Sequence, residues 1–196
     1  MILSIITLVA LLFIVGFLFI KFYPSFGGDV SEERQLLYNS SKQFENGMFR
    51  NTRDVQLDFS FSQTLKMSRK FFFEKVEKGR PESDLKVHDL DSTNVADYKS
   101  DSRLVWFGHS AFLFQTNGKT ILIDPMFGQV PAPHPWFGSK RFSKNLPLEV
   151  EKLPKIDVLL ISHDHYDHLD YGSIKKLKDK VEKFIVPLGV GVHLEA

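Results

Sequence analysis

Apolar and polar positions divide the chain into three stretches of different character. Residues 1 to 20, MILSIITLVALLFIVGFLFI, are apolar apart from Ser4 and Thr7, and the run closes at Lys21 with Tyr23 and Pro24 just beyond. About 20 such residues suffice to cross a hydrocarbon core as a helix. A cleaved secretory signal would carry a basic n-region, a shorter apolar core and a small-residue cleavage site, and a core helix would have a polar face. Neither pattern is present, so residues 1–22 read as a single-pass transmembrane anchor. No Lys or Arg precedes the span and Lys21 follows it, which under the positive-inside rule leans toward a cytoplasmic location for the rest of the chain.

From Ser25 to Ser102 the chain is polar and lacks clear periodicity, and residues 23–102 read as a linker and N-terminal extension. Within it Lys66 to Arg80, KMSRKFFFEKVEKGR, predicts a helix that stops at Gly79, Arg80 and Pro81. Two readings suit it. In one, Phe71, Phe72 and Phe73 pack onto the following domain. In the other, the helix rests on anionic lipid. Three phenylalanines in a row make no clean amphipathic stripe, which favours the first.

The third stretch opens with strands. Arg103 to Phe107 and Ala111 to Gln115 flank Gly108, His109 and Ser110, and Lys119 to Asp124 follows Asn117-Gly118, the strongest short hairpin signal. A loop rich in Pro, Gly and aromatics, Pro125 to Pro147, reads as one wall of a substrate cleft; its Lys140 and Arg141 either meet a phosphate or, as is commoner, are solvated loop charges. The apolar, β-branched run Ile156 to Ile161 suits a buried strand. Tyr171 to Lys183 predicts a helix and Phe184 to Pro187 a last strand.

Composition narrows the chemistry. The formal charge of +1 over 196 residues gives no sign of a nucleic-acid-binding surface, and the absence of cysteine excludes disulfides, thiolate zinc ligands and a Cys nucleophile. The order of His109 and Ser110 is not that of a GxSxG nucleophile elbow. Gly189, Val190 and Gly191 lack the third glycine of a dinucleotide loop, since Leu194 stands in its place.

The densest chemistry is Ser162 to Asp170, SHDHYDHLD, directly after the predicted buried strand. His163, His165, Asp167 and His168 form an HxHxDH pattern, and imidazole nitrogen with carboxylate oxygen is the ligand set that zinc and neighbouring transition ions prefer. In extended chain, positions two apart point to the same side, so His163 and His165 can grip one ion. If the chain turns into a helix beyond them, Asp167 and His168 face a second ion, as in two-metal hydrolases. His109 reads as a structural histidine as readily as an active-site one. Asp124, at a strand end, either caps a turn or orients a metal-bound histidine through its other ring nitrogen.

The HxHxDH segment resembles the first metal motif of the metallo-β-lactamase superfamily. LVWFGHSAFLFQTNGKTILIDPMF, residues 104–127, together with SKRFSKNLPLEVEKLPKIDVLLISHDHYDHLDY and FIVPLGVG, is similar to its N-acyl-phosphatidylethanolamine-hydrolysing phospholipase D branch. NGMFRN, residues 46–51, is a weaker echo. The resemblance implies an α/β fold, an αββα sandwich of which residues 103–196 supply the first, N-terminal half. It implies two zinc ions held by His163, His165, Asp167 and His168, with Asp167 also orienting the attacking hydroxide. The implied substrate is a phosphodiester of a membrane phospholipid. A lactonase or nuclease of the same superfamily would carry the same motif, and an inactive truncated membrane protein is a further alternative. The third histidine, bridging aspartate and last histidine of the family's two-metal site have no counterpart before Ala196. The chain therefore reads as an N-terminal fragment, with an open sheet edge and an uncovered apolar face.

Overall fold

A computed structural model describes residues 2–53, 59–74, 76–136 and 138–195; Lys75, Phe137 and Ala196, which fall in segments considered above, lie outside the described residues. Backbone contacts divide the chain into two compact units, residues 31–85 and residues 1–30 with 86–196.

The smaller unit contains α2 (Glu32–Asn39), a hairpin of β1 (Phe44–Glu45) and β2 (Met48–Phe49), and α3 (Phe61–Phe73). Buried Tyr38 of α2 meets the rings of Phe44 and Phe49 at 5.7 and 5.3 Å, a small aromatic core for the hairpin. Helix α3 differs from the predicted 66–80. It starts five residues earlier, because Ser60 and Gln63 form a reciprocal capping box, and stops at Glu74, whose backbone is extended. Phe71, Phe72 and Phe73 are 83%, 73% and 81% exposed, so none of the three joins the small aromatic core of this unit.

The larger unit begins with α1 (Ile2–Phe22), an apolar helix with no buried residue, about 30 Å long at 1.5 Å per residue. Its length and composition suit a membrane crossing. Beyond it lies a five-stranded sheet in the order β3 (Arg103–Gly108), β4 (Ala111–Thr116), β5 (Lys119–Ile123), β6 (Ile156–Leu160), β7 (Val181–Ile185). The first three strands are antiparallel. β5, β6 and β7 are parallel. The β4–β5 turn is the expected tight hairpin, with Asn117 at φ 49° and Gly118 at φ 71°, the left-handed pair that a type I′ turn requires.

Alternation within the strands sorts the sheet into two faces. One carries Leu113, Leu122 and Leu159, fully buried under Val95, Leu148, Leu153 and, from α5 (Tyr171–Leu177), Ile174 and Leu177. Val95 lies in the short helix α4 (Ser92–Ala96), so the core gathers residues from before position 103. The opposite face aligns Leu104 and Trp106 with Phe114 and Phe112, these with Ile121 and Ile123, and these with Val158 and Leu160. Ile185 continues the row beside Leu160. None of these nine apolar residues is buried. This α/β architecture, one helix-covered sheet with an apolar outer face, is one layer of the expected sandwich.

The predicted helix 171–183 is shorter. α5 ends at Leu177, a 3-10 turn covers Lys178–Lys180, and Val181 already pairs with Ile156. Lys180 explains the stop, since its ammonium donates to the carbonyls of Glu151 and Leu153 and ties the segment to the loop before β6.

Candidate metal centre

Sheet topology brings distant parts of the chain to one edge. β3, β5, β6 and β7 run the same way, so the β3–β4 turn, the residue after β5 and the HxHxDH loop after β6 all emerge at the carboxyl ends of parallel strands. Ligand sites in open α/β sheets collect there.

Asp124 is the anchor. It is buried, and its φ of 43° is left-handed, a conformation that Asp tolerates better than most residues. Its backbone N–H donates to Leu160 and turns the carboxylate toward β6. Oδ1 accepts from the Ser162 backbone N–H at 2.7 Å, and Oδ2 accepts from Ser162 Oγ at 2.7 Å and from His168 Nδ1 at 2.9 Å. With its hydroxyl proton on Asp124, Ser162 Oγ accepts from His163 Nδ1, 2.9 Å away. One carboxylate thus holds both imidazoles through Nδ1, leaving each Nε2 lone pair for a metal. Sequence reasoning left Asp124 between two roles and missed Ser162. Serine after a strand carries no distinctive signal of its own.

The loop beyond is a turn, not the helix considered above. His165 accepts from the backbone N–H groups of His168 and Leu169, and buried Leu169 pins the loop to the core. α5 begins only at Tyr171, capped by Asp170, whose carboxylate accepts from Ser173 and Gly128. The turn draws the four motif residues together: the His163 ring lies 4.5 Å from that of His165 and 4.0 Å from that of His168, centre to centre. His168 Nε2 is 3.7 Å from Asp167 Oδ2.

His109 joins them. It sits at φ 47° after Gly108 at φ 103°, where β3 and β4 bulge apart, and its Nε2 lies 2.8 Å from Asp167 Oδ2. Donor atoms of His109, Asp167 and His168 lie within 4.8 Å of one another, close enough to share an ion. Arg141 braces this turn from below, its Nη2 donating to the Phe107 carbonyl at 3.0 Å. Its guanidinium is half-buried, and burial pushes its pKa down, so it is not the solvated charge expected of that loop. Burial alone would raise the Asp167 carboxyl, but its own backbone N–H, His168 and His109 outweigh it and hold the pKa below the ordinary carboxylate range. The donor set and its orientation fit zinc or a similar transition ion.

A separate cleft of about 260 Å³ is lined by Phe127, Gly128, Pro133, Asp170, Tyr171 and Lys176 among others, so the Pro-rich loop lines a cleft, though not one that contains the candidate metal ligands. None of the five donor residues lines it.

Residues 103–190 match the family described as Beta-lactamase superfamily domain. The match covers less than half of the chain and, with the sheet and the HxHxDH loop, agrees with the resemblance to the metallo-β-lactamase superfamily. Among curated relatives, an uncharacterised protein of Mycobacterium tuberculosis is 40% identical over 111 residues, 55% of this chain and 29% of that one. N-acyl-phosphatidylethanolamine-hydrolyzing phospholipase D 1 of Caenorhabditis elegans is 34% identical over 113 residues, 56% of this chain and 31% of its own length. A metal-dependent hydrolase of Anaeromyxobacter sp. (strain K) is 39% identical over 99 residues, 50% of this chain and 31% of that protein. The chain spans less than a third of the length of each of these relatives.

Proposed function

We propose that the domain is a metal-dependent hydrolase of phosphodiester bonds in membrane phospholipid, using two zinc ions. The observation that carries this reading is the Asp124–Ser162 anchor, which holds His163 and His168 through Nδ1 and leaves His168 Nε2 beside Asp167. His163 and His165 would hold the first ion, Asp167 and His168 the second. The phospholipase D activity in the name of the nematode relative supports the lipid substrate, and α1, read as a single-pass anchor with the domain on the cytoplasmic side, keeps the site at the bilayer surface.

Zinc, when bound, supplies a Lewis acid for the phosphoryl oxygens and lowers the pKa of the attacking water. The chain's own groups do the rest. Asp167, held ionised by its neighbours, orients that water, and His109 fixes the carboxylate through Nε2. Asp124 and Ser162 keep His163 and His168 from rotating, so the ligands meet the ions already in position. A new bond forms from water oxygen to phosphorus, the phosphorus–oxygen bond to the head group breaks, and the head group leaves as an alcohol after taking a proton.

The test compares this chain with a form extended to the length of its relatives, each with and without His165→Ala. Bound zinc and hydrolysis of bis(p-nitrophenyl) phosphate and of an N-acyl phospholipid are measured. Zinc binding and turnover that both depend on His165 support the proposal. Turnover of lactones or of nucleic acid, with none of phospholipid, selects another hydrolase of the superfamily. Absence of zinc in both forms leaves a non-catalytic membrane protein.

A further inference from the structure

We infer that α3 is a second membrane contact, an amphipathic helix that lies on the surface of an anionic bilayer; this rests on reading α1 as the membrane anchor. The bounds found in the structure change the helix wheel. At about 100° per residue, Phe61, Leu65 and Phe72 fall within about 40° of one another, and Phe71 and Met67 extend the apolar arc to about 160°. Lys66 and Lys70 point to the other side, Arg69 borders the arc, and of the aromatic residues Phe73, at the last position, falls at about 120° on the cationic side. No acidic residue lies within the helix; Glu74 follows it, 3.8 Å from Lys70.

All thirteen residues of α3 are exposed, with Phe61, Phe71 and Phe73 above 80%. A 13-residue helix without tertiary packing is marginal in water even when well capped. An apolar surface is therefore needed to hold it, and the charges say which kind. Three cations and no anion on a helix with an aromatic arc match an anionic lipid interface, where phenylalanine sits at the acyl boundary and Lys and Arg reach the head groups. The anchor strengthens the match. Only 38 residues separate α1 from α3, so the contact is intramolecular with respect to the bilayer and even weak intrinsic binding is populated.

The chain contains no cysteine, so a single introduced one carries a spin label uniquely. The full chain is reconstituted in vesicles of phosphatidylcholine with phosphatidylglycerol, or of phosphatidylcholine alone. Labels are placed at Ser68→Cys in the apolar arc, Lys66→Cys in the polar arc and Leu12→Cys in α1, and collision rates with oxygen and a water-soluble nickel complex are compared. The inference expects oxygen to dominate at positions 68 and 12 and nickel at position 66. Adding K66E, R69E and K70E to the Ser68→Cys protein should abolish the lipid signature at position 68, since three cations favour anionic lipid by on the order of 100-fold. A label at position 12 in lipid with positions 66 and 68 both open to nickel overturns the inference and leaves the anchor standing. Shielding of position 68 from both reagents also overturns it, because polypeptide then covers the arc. Position 12 open to nickel removes the anchor itself.

Discussion

Asp124 shows how one buried carboxylate can orient the side chains of a candidate metal site. Its two oxygens accept three hydrogen bonds, two from Ser162 and one from His168, and through Ser162 it also reaches His163. Asp124→Asn keeps the shape and replaces one acceptor oxygen by a donor, so a histidine loses its orienting partner. Zinc affinity by competition with a chromophoric chelator should fall 10- to 100-fold while circular dichroism stays unchanged. His109 acts through Asp167. Because its φ is 47°, His109→Asn is the substitution that keeps the backbone, as Asn tolerates this region. It should weaken zinc binding less than His168→Ala, which removes a proposed ligand outright. Equal losses would make His109 a ligand of the same rank.

Between elements, one turn, one core contact and one ion pair set the register that delivers these residues. Gly118, at φ 71° in the β4–β5 hairpin, has no Cβ to strain; Gly118→Ala should cost about 1–2 kcal/mol by chemical denaturation in detergent micelles. Leu177 is fully buried where α5 meets the sheet, and Leu177→Ala should cost about 2–5 kcal/mol. At the start of β5 and β6, Asp157 accepts from Lys119 Nζ at 2.6 Å and from the Thr120 N–H at 2.8 Å. The Lys119 bond and then the Thr120 N–H hold the Asp157 carboxyl below its ordinary value of 3.8, against a smaller effect of burial. A lowered pKa stabilises the fold above the unfolded value and loses that contribution as pH falls through the folded one. The gap in thermal midpoint between the wild-type chain and Asp157→Asn should therefore be constant near neutrality and narrow below about pH 4. A gap that widens with acid would reverse the assignment.

Across the whole molecule the dominant feature is the row of nine apolar residues on the outer sheet face, with Leu104 and Trp106 more than half exposed. A contiguous apolar surface of this kind drives association. Light scattering in a mild detergent should find this chain self-associated, and the pair Leu104→Lys and Trp106→Gln should shift it toward monomer while leaving the opposite, buried face intact. In a form extended to the length of its relatives, the same pair should instead destabilise the fold if added chain covers this face.

Much of this was legible from residue order. The extent of α1, the Asn117-Gly118 hairpin, the strand before SHDHYDHLD and the resemblance to the superfamily follow from runs and spacings a few residues long, because local backbone preference and ligand chemistry are written in adjacent positions. The partners of that motif were not. His109 and Asp124 lie 54 and 38 residues from His163 and Ser162 respectively, and only the parallel pairing of β5 with β6, with β3 running the same way, puts them at one edge. Nor did sequence reasoning find where α3 begins or where α5 stops. The start of α3 follows from the Ser60/Gln63 capping box, a local signal that the residue order carried and sequence reasoning missed, whereas the end of α5 depended on Lys180 reaching back to carbonyls almost thirty residues away, a contact that exists only once the chain has folded.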